Sequence, residues 1–497
     1  MVAFLDMITI IGGGLAGCEA AWQAASQGVP VTLHEMRPVR PTAVHKTDRL
    51  AELVCSNSLR GDKLDNAVGL LKEEMRRLGS LVMRAAEASR VPAGAALAVD
   101  RERFSEEITR ALETHPLVTI VREEILAIPP ATERAPVIVA TGPLTSEALS
   151  ADIARLVGAE HLYFYDAISP IVLAESIDRN KVFRASRWNR SIRLKPDPTH
   201  GNAACGLDDG EGDYLNCPMT REEYERFYDA LVHAESATVH DFDKEKFFEG
   251  CLPIEVMAHR GADTLRFGPM KPVGLTDPRT GRPPYAAVQL RQDTLAGDHY
   301  SLVGFQTQLK WSEQARVLRL IPGLEAAEFV RFGLVHRNTY VNGPTVLAET
   351  WQVRRHPALF FAGQMSGVEG YVESAASGLL AGQNAARMAR GEPLSSPPRT
   401  TAIGALAYYV SHANPAHYDP SNITFGIMEP IAFPSRNKLA RKLAISERAL
   451  ADLDRWRDGL RDGLKAVPYA ESDIRRTDDV GHGLQTVPNF PETVPNR

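Results

Sequence analysis

Apolar residues along this chain first appear as short continuous runs and then at helical spacing. Ile8, Ile10 and Ile11 form a compact run, the pattern of a strand buried on both faces of a parallel sheet. The Ala-rich stretch from about Leu15 to Gln27 predicts a helix that stops before Gly28. Val29 to His34 predicts a second strand, so the N-terminal segment reads as one βαβ unit. Leu71, Met75, Leu78 and Val82 recur every three or four residues, predicting one long amphipathic helix from Val68 to Ser89. Asp100 to Thr114, Arg221 to Ser236 and Pro430 to Arg461 read as further helices. Val118 to Val121 and Pro136 to Thr141 read as strands, and Leu359 to Ala362 as a late strand running into a Gly-rich turn and a helix of small residues. Arg184 to Tyr214, with DDGEGD at its end, reads as an exposed or mobile insertion. The Pro-rich tail after Val467 has little core-forming content and is expected to be poorly ordered.

The first turn carries specific chemistry. Gly12, Gly14 and Gly17 form G-x-G-x-x-G between a strand and a helix. The first glycine permits the turn, the second lets backbone approach a pyrophosphate, and the third allows close packing. The helix N-terminus then offers N–H groups and a positive dipole end to phosphate. Glu35 closes the second strand about 20 residues on, where an acid hydrogen-bonds ribose hydroxyls. Two features favour FAD over NAD. The motif is N-terminal, and a late strand ends in Ala362-Gly363 ahead of Gly367 and Gly370. The ATG at Ala140 to Gly142 is similar to the middle motif of two-dinucleotide-fold flavoproteins, an analogy at the level of fold.

At 497 residues the chain exceeds the ~250–300 at which one core stops growing, so several domains are expected. Apolar residues at 44% and charged residues at 24% exclude disorder, collagen and coiled coil for the bulk. A net charge of −6 excludes a uniformly basic coat but leaves room for a local basic patch. No apolar run reaches the ~18 residues of a membrane span, and the N-terminus lacks the marks of a signal peptide. A cytoplasmic location is the expectation.

The five cysteines, Cys18, Cys55, Cys205, Cys217 and Cys251, are odd in number and lack CxxC spacing, which argues against disulfides and against a structural zinc site; no metal is expected. A lone cysteine is ordinarily a small buried hydrophobe, and Cys18 and Cys217 read that way. Cys55 lies among Ser56, Asn57, Ser58 and Arg60, and Cys251 between Gly250 and Pro253 with His259 and Arg260 nearby in sequence. Polar and cationic surroundings of this kind can activate a thiol. A flavin with a nucleophilic thiol suits disulfide reduction, amine oxidation or attack on an electrophilic ring, and the missing CxxC argues against the first.

From about Ile8 to about Leu450 the sequence resembles the TrmFO family of folate- and FAD-dependent tRNA (uracil-C5)-methyltransferases. LVCSNSLR (Leu53 to Arg60), GCLPIEVMA (Gly250 to Ala258) and GVEGYVESAASG (Gly367 to Gly378) carry the resemblance most specifically. HEMRP, ATGPLTS, YLNCPMT, FGPMKPVGL, VQLRQD, LVGFQTQLKW, IPGLEAAEFVR and HRNTY support it. The resemblance implies an α/β fold: a Rossmann-like FAD-binding domain of the GidA-like, two-dinucleotide-fold type with an inserted α/β domain. The expected boundaries are residues 1–185 and 321–465 for the FAD-binding domain, 186–320 for the insertion, and 466–497 for a flexible tail. The FAD contacts expected are Gly12, Gly13, Gly14, Leu15, Ala16, Gly17, Glu35, Met36, Arg37, Thr141, Gly142, Gly363, Gln364, Gly370 and Tyr371.

The implied reaction methylates C5 of the T-loop uridine of tRNA. Methylenetetrahydrofolate gives the carbon, reduced FAD gives the electrons, and NAD(P)H re-reduces the flavin. Uracil C5 becomes nucleophilic only when something adds at C6, a task suited to a thiolate, and a base must then remove the C5 proton. Cys55 and Cys251 match the family's two functional cysteines, with Cys251 assigned as the C6 nucleophile and Cys55 as general base or flavin-side partner. The folate pocket is expected near Gly363 to Tyr371. Arg187, Arg190, Arg193 and Lys195 with Trp188, and Arg436, Lys438, Arg441 and Lys442, are candidate tRNA contacts. No membrane contact or obligate protein partner is expected. The alternatives are the same chemistry on a 23S rRNA uridine, a generic NAD(P)H-dependent flavin oxidoreductase, and a non-catalytic flavin-binding module.

Overall fold

The computed structural model describes residues 7–42, 44–158, 162–167, 169–189, 212–236, 252–294, 297–333, 335–418, 420–432 and 436–461. Cys205, Cys251, Arg190, Arg193, Lys195 and the tail from 466 lie outside them.

A six-stranded sheet runs in the order Gln352–Val353, His356–Phe361, Val137–Val139, Ile8–Ile11, Val31–Glu35, Val118–Arg122. Only the first pair is antiparallel. The parallel strands are short apolar runs, most of them β-branched, that need cover on both faces. The Leu15–Ser26 and Tyr371–Ala389 helices supply part of it, and the strands Ile8–Ile11 and Val137–Val139 are almost wholly buried. These two helices approach closely because the second presents glycines: a Cβ at Gly378 would lie 2.1 Å from the Ala16 carbonyl oxygen, and one at Gly382 2.4 Å from that of Ala20. The late small-residue helix is therefore built for contact with the first one.

The predicted long helix from Val68 to Ser89 is two helices, Ala67–Arg77 and Leu81–Ala88. Gly79, at φ +74°, breaks the run. The second helix is capped by its own Ser80 and by the buried Glu19 carboxylate, which accepts from Ser80 Oγ, Leu81 N and Val82 N. Periodicity carried through the break because both helices face the same core. The C-terminal helix spans Lys438–Arg461, shorter at its start than predicted, after Pro430 and Pro434.

A second six-stranded sheet, wholly antiparallel, runs Phe183–Ala185, Tyr214–Met219, Ala286–Gln292, His299–Leu302, Ile171–Leu173, Phe329–Arg331. It has its own core, in which Leu215, Cys217 and Val288 meet Tyr224, Phe227 and Phe305. The segment expected to be a mobile insertion thus begins and ends in adjacent strands of this sheet, and residues 190–211 between them lie outside the described set. No helix among the described residues is long and apolar enough to cross a membrane.

Candidate functional site

The turn after the first strand is shaped by close approach. Gly12 has φ +108°, and a Cβ there would lie 2.5 Å from the Ala140 carbonyl oxygen. A Cβ on Gly17 would lie 1.9 Å from the Gly12 carbonyl oxygen, so this residue sets how tightly the helix sits on the turn. Gly14 differs: nothing lies within 4 Å of its would-be Cβ. It is also the helix N-cap, with no side-chain cap and no acid in the first turn. The helix N-terminus is therefore left open to an anion.

It opens on a cavity of about 490 Å³. Gly12, Gly13, Gly14, Leu15, Ala16, Glu35, Met36, Arg37, Thr141, Gly142, Gly363, Gln364, Gly370 and Tyr371 all line it, and Cys55 does too. Gly17 is absent from the wall because its place is in the packing behind it. The second sheet contributes Arg291, Ser301, Leu302, Val303, Gly304 and Gln306.

Glu35 is buried and orders this end of the cavity. Its Oε2 accepts from Gly13 N at 2.9 Å, and its Oε1 from Arg37 N at 3.0 Å and Arg37 Nε at 2.8 Å. Burial pushes the carboxyl up, but the Arg37 hydrogen bonds and charge outweigh it and hold it below the ordinary range. Arg37 is itself buried, donating also to the Thr47 and Arg49 carbonyls and to Glu52. Its guanidinium is thus committed to holding the 47–52 loop. His45 lines the same wall, and burial, helped by Arg37, lowers it to about 4, so the ring is neutral near pH 7.

At the opposite end the Gly363 amide donates to Ser377 Oγ at 2.7 Å, and Gln364 Nε2 donates to Glu369 at 2.7 Å. Arg60, at φ +62°, reaches buried Glu373 and Asn422. Lys72 donates to the carbonyls of Leu59, Arg60 and Gly61, holding that bend from below. Burial brings the Lys72 ammonium down to about 7.

The half-buried Cys55 sits between these ends. Its amide and that of Ser56 both donate to the Tyr371 hydroxyl, at 2.6 and 3.2 Å. Cys18 and Cys217 are fully buried, and burial raises both thiols far above the ordinary range. Sequence reading left Arg291, His45 and Asn422 without roles and used Arg60 only as a cationic neighbour of Cys55. None belongs to a motif with a known spacing, though Arg60 and Arg291 sit inside the LVCSNSLR and VQLRQD segments. Among the described residues no group of three or more His, Cys, Asp or Glu could hold a metal.

Of the candidate tRNA contacts, Arg187 is turned inward, donating to Gln289 and to the carbonyls of Lys271 and Val273. Trp188 beside it is 57% exposed. Arg436, Lys438 and Arg441 are exposed at the start of the last helix, and Lys442 lies over the Phe425 ring.

The family described as "Glucose inhibited division protein A" matches residues 7–393. A protein of Symbiobacterium thermophilum named "Methylenetetrahydrofolate--tRNA-(uracil-5-)-methyltransferase TrmFO" is 59% identical over 457 residues, covering 91% of this chain and 97% of that one. A protein of the same name from Heliobacterium modesticaldum is 58% identical over 450 residues, covering 90% and 97%. Among solved structures, Aquifex aeolicus GidA matches with a TM-score of 0.62 at 19% identity, covering 92% of this chain and 76% of that one.

Proposed function

The chain belongs to the TrmFO family of methylenetetrahydrofolate–tRNA-(uracil-5-)-methyltransferases, and on that premise we propose that it methylates C5 of the T-loop uridine of tRNA. The observation that carries this reading is a thiol, Cys55, on the wall of a cavity opened by an uncapped helix N-terminus. The cavity walls suit FAD: a Cβ at Gly14 would enter open space, and Glu35 stands where a ribose would be bound. Gly12 to Ala16 would hold the pyrophosphate, and Gly363, Gln364, Gly370 and Tyr371 the ring end. Bound FAD in its reduced form would supply the electrons that turn the transferred methylene into methyl, with NAD(P)H as the source that renews them.

The protein's own residues carry the rest. The Cys251 thiolate adds to uracil C6, which places the electron pair on C5 for attack on the folate methylene. Cys55 then takes the C5 proton as the bond between the transferred carbon and the folate nitrogen breaks, with tetrahydrofolate as the leaving group; two electrons and a proton convert the methylene to methyl as Cys251 leaves C6 and the ring is restored. Arg291 and Arg60 add positive charge to the cavity wall, and Arg436, Lys438 and Arg441 offer contacts to tRNA phosphate.

The test is transfer of label from methylenetetrahydrofolate to a tRNA transcript and, in parallel, to 23S rRNA, with and without FAD and NAD(P)H. Label at C5 of the T-loop uridine that needs both is the expected result. Label on 23S rRNA instead, or none with well-folded holoenzyme, overturns the reading. Cys251→Ala is expected to abolish transfer; retention at the full rate removes Cys251 as nucleophile.

A further inference from the structure

Arg291 projects from the Ala286–Gln292 strand of the second sheet and is buried, yet it lines the same cavity as Cys55. Its Nη2 donates to Ser56 Oγ at 2.7 Å and its Nε to Asn57 Oδ1 at 2.8 Å. These residues directly follow Cys55. The clamp is reciprocal: Asn57 Nδ2 donates to the Gln292 carbonyl at 3.0 Å and to the Val99 carbonyl at 3.0 Å. Arg101 closes it from the other side, donating to the Leu53 carbonyl at 2.8 Å and pairing with Asp293 at 3.0 Å. The loop carrying Cys55 is thus held at both ends by groups that also hold the end of one strand of the second sheet.

The charge pattern adds a second observation. Asp293, the nearest carboxylate along the strand, is taken by Arg101. Among the described residues Arg291 forms no ion pair within 4.0 Å, and its acceptors are a hydroxyl and an amide. A buried cation without an anion is costly. The Cys55 sulfur lies within electrostatic range of Arg291 and also of Arg331, on the Phe329–Arg331 strand. Tyr371, from its own helix, faces the same thiol and is neutral, because burial and then Cys55 raise its hydroxyl far above neutrality. Among the described residues, Arg291, Arg331 and Tyr371 are thus the titratable groups shown to face Cys55, two cations and a neutral phenol.

We propose that Arg291 is a positioning residue for Cys55: its two-pronged guanidinium fixes the thiol loop through Ser56 and Asn57 and sets positive charge against the sulfur. The charge favours the thiolate, the form able to take a proton, and the fork fixes where it points. The inference rests on reading Cys55 as a working thiol. Lysine would keep the charge and lose the fork.

The experiment reads Cys55 alkylation by iodoacetamide against pH in the holoenzyme, cysteine by cysteine through peptide mass spectrometry. Arg291→Met is expected to raise the Cys55 midpoint by about one pH unit, a tenfold loss of thiolate below it. Arg291→Lys is expected to leave the midpoint near that of the parent while cutting methyl transfer about tenfold through lost orientation. An unchanged midpoint in a folded, FAD-loaded Arg291→Met overturns the proposal, since a purely structural role would lower stability without moving it. Should that variant fail to fold, Arg291→Lys with the parent methyl-transfer rate overturns it equally. If the parent enzyme transfers no methyl group, the functional reading fails, and the alkylation midpoint still decides the role of Arg291.

Discussion

The Tyr371 hydroxyl lies 2.6 Å from the Cys55 amide nitrogen and joins segments 316 residues apart. Tyr371 opens the helix that follows the second glycine-rich turn, and Cys55 sits on the loop that follows the first βαβ unit. One phenol oxygen therefore sets the thiol loop against the far end of the dinucleotide cavity.

Tyr371→Phe removes that acceptor and leaves two amides, those of Cys55 and Ser56, without their partner. A cost of about 1–3 kcal/mol is expected in denaturant unfolding. Methyl transfer should fall at least about tenfold, because reacting groups must be held within a fraction of an ångström. FAD content should stay near that of the parent, and a parent-like transfer rate would show that the hydroxyl does not set the loop.

The glycines of the first turn predict opposite outcomes from one substitution. Gly17→Ala drives a Cβ to 1.9 Å from the Gly12 carbonyl oxygen, and backbone cannot give way there. It should destabilise the apoprotein by about 3 kcal/mol or more. Gly14→Ala meets nothing within 4 Å. It should cost only about 1 kcal/mol in stability, yet weaken FAD binding about tenfold or more, because the new methyl group enters the space expected to hold pyrophosphate. Thermal melts of the apoprotein and FAD titrations separate the two.

Arg60 and Glu373 form an ion pair with one buried end: Glu373 is fully buried, Arg60 binds its Oε1, and among the described residues its Oε2 accepts no hydrogen bond. Among the described residues, Arg60→Met leaves the buried carboxylate with the Ile423 amide as its remaining donor. Removing one partner of such a pair costs about 3–5 kcal/mol when it is fully buried. Since Arg60 is 38% exposed and screened by solvent, about 2–3 kcal/mol is expected. The double variant Arg60→Met, Glu373→Gln should recover more than half of that loss in urea unfolding.

Glu74 predicts a pH dependence. Its buried carboxyl accepts from the Ala402 and Ile403 amides at the start of the Ala402–His412 helix, yet burial raises it from 4.5 to about 8. The folded state thus keeps a proton that the unfolded chain releases above about 4.5. Its contribution to stability is full below about 4.5 and is lost as pH rises to about 8, at about 1.4 kcal/mol per pH unit at most. Glu74→Gln should flatten this part of the stability profile relative to the parent. Equal slopes for both proteins between those limits would refute the assignment.

Much of the first unit was legible in the residues themselves. Short apolar runs, the Gly12-Gly14-Gly17 spacing and Glu35 act over one strand, one turn and one helix, so their geometry is local and repeats wherever the pattern occurs. The helix break at Gly79 escaped this reading. Its cap comes from Glu19, on another helix, and no periodicity records a partner from elsewhere in the chain. Arg37 shows the same limit: it falls on the cavity wall as its position implied, but its guanidinium works inward, on Glu35, Glu52 and the 47–52 loop.

The sequence by itself determined that a dinucleotide cradle begins this chain and that two cysteine segments carry the resemblance to a methyltransferase family. Only the tertiary structure decided what surrounds Cys55. Tyr371 and Arg101 come from two helices and Arg291 and Arg331 from two strands of the second sheet, and they meet around the 53–57 loop because these four elements converge on it. Hydrogen bonds and charge act through a few ångströms of space, whereas sequence order measures distance along the chain, and at this site the two have almost nothing in common.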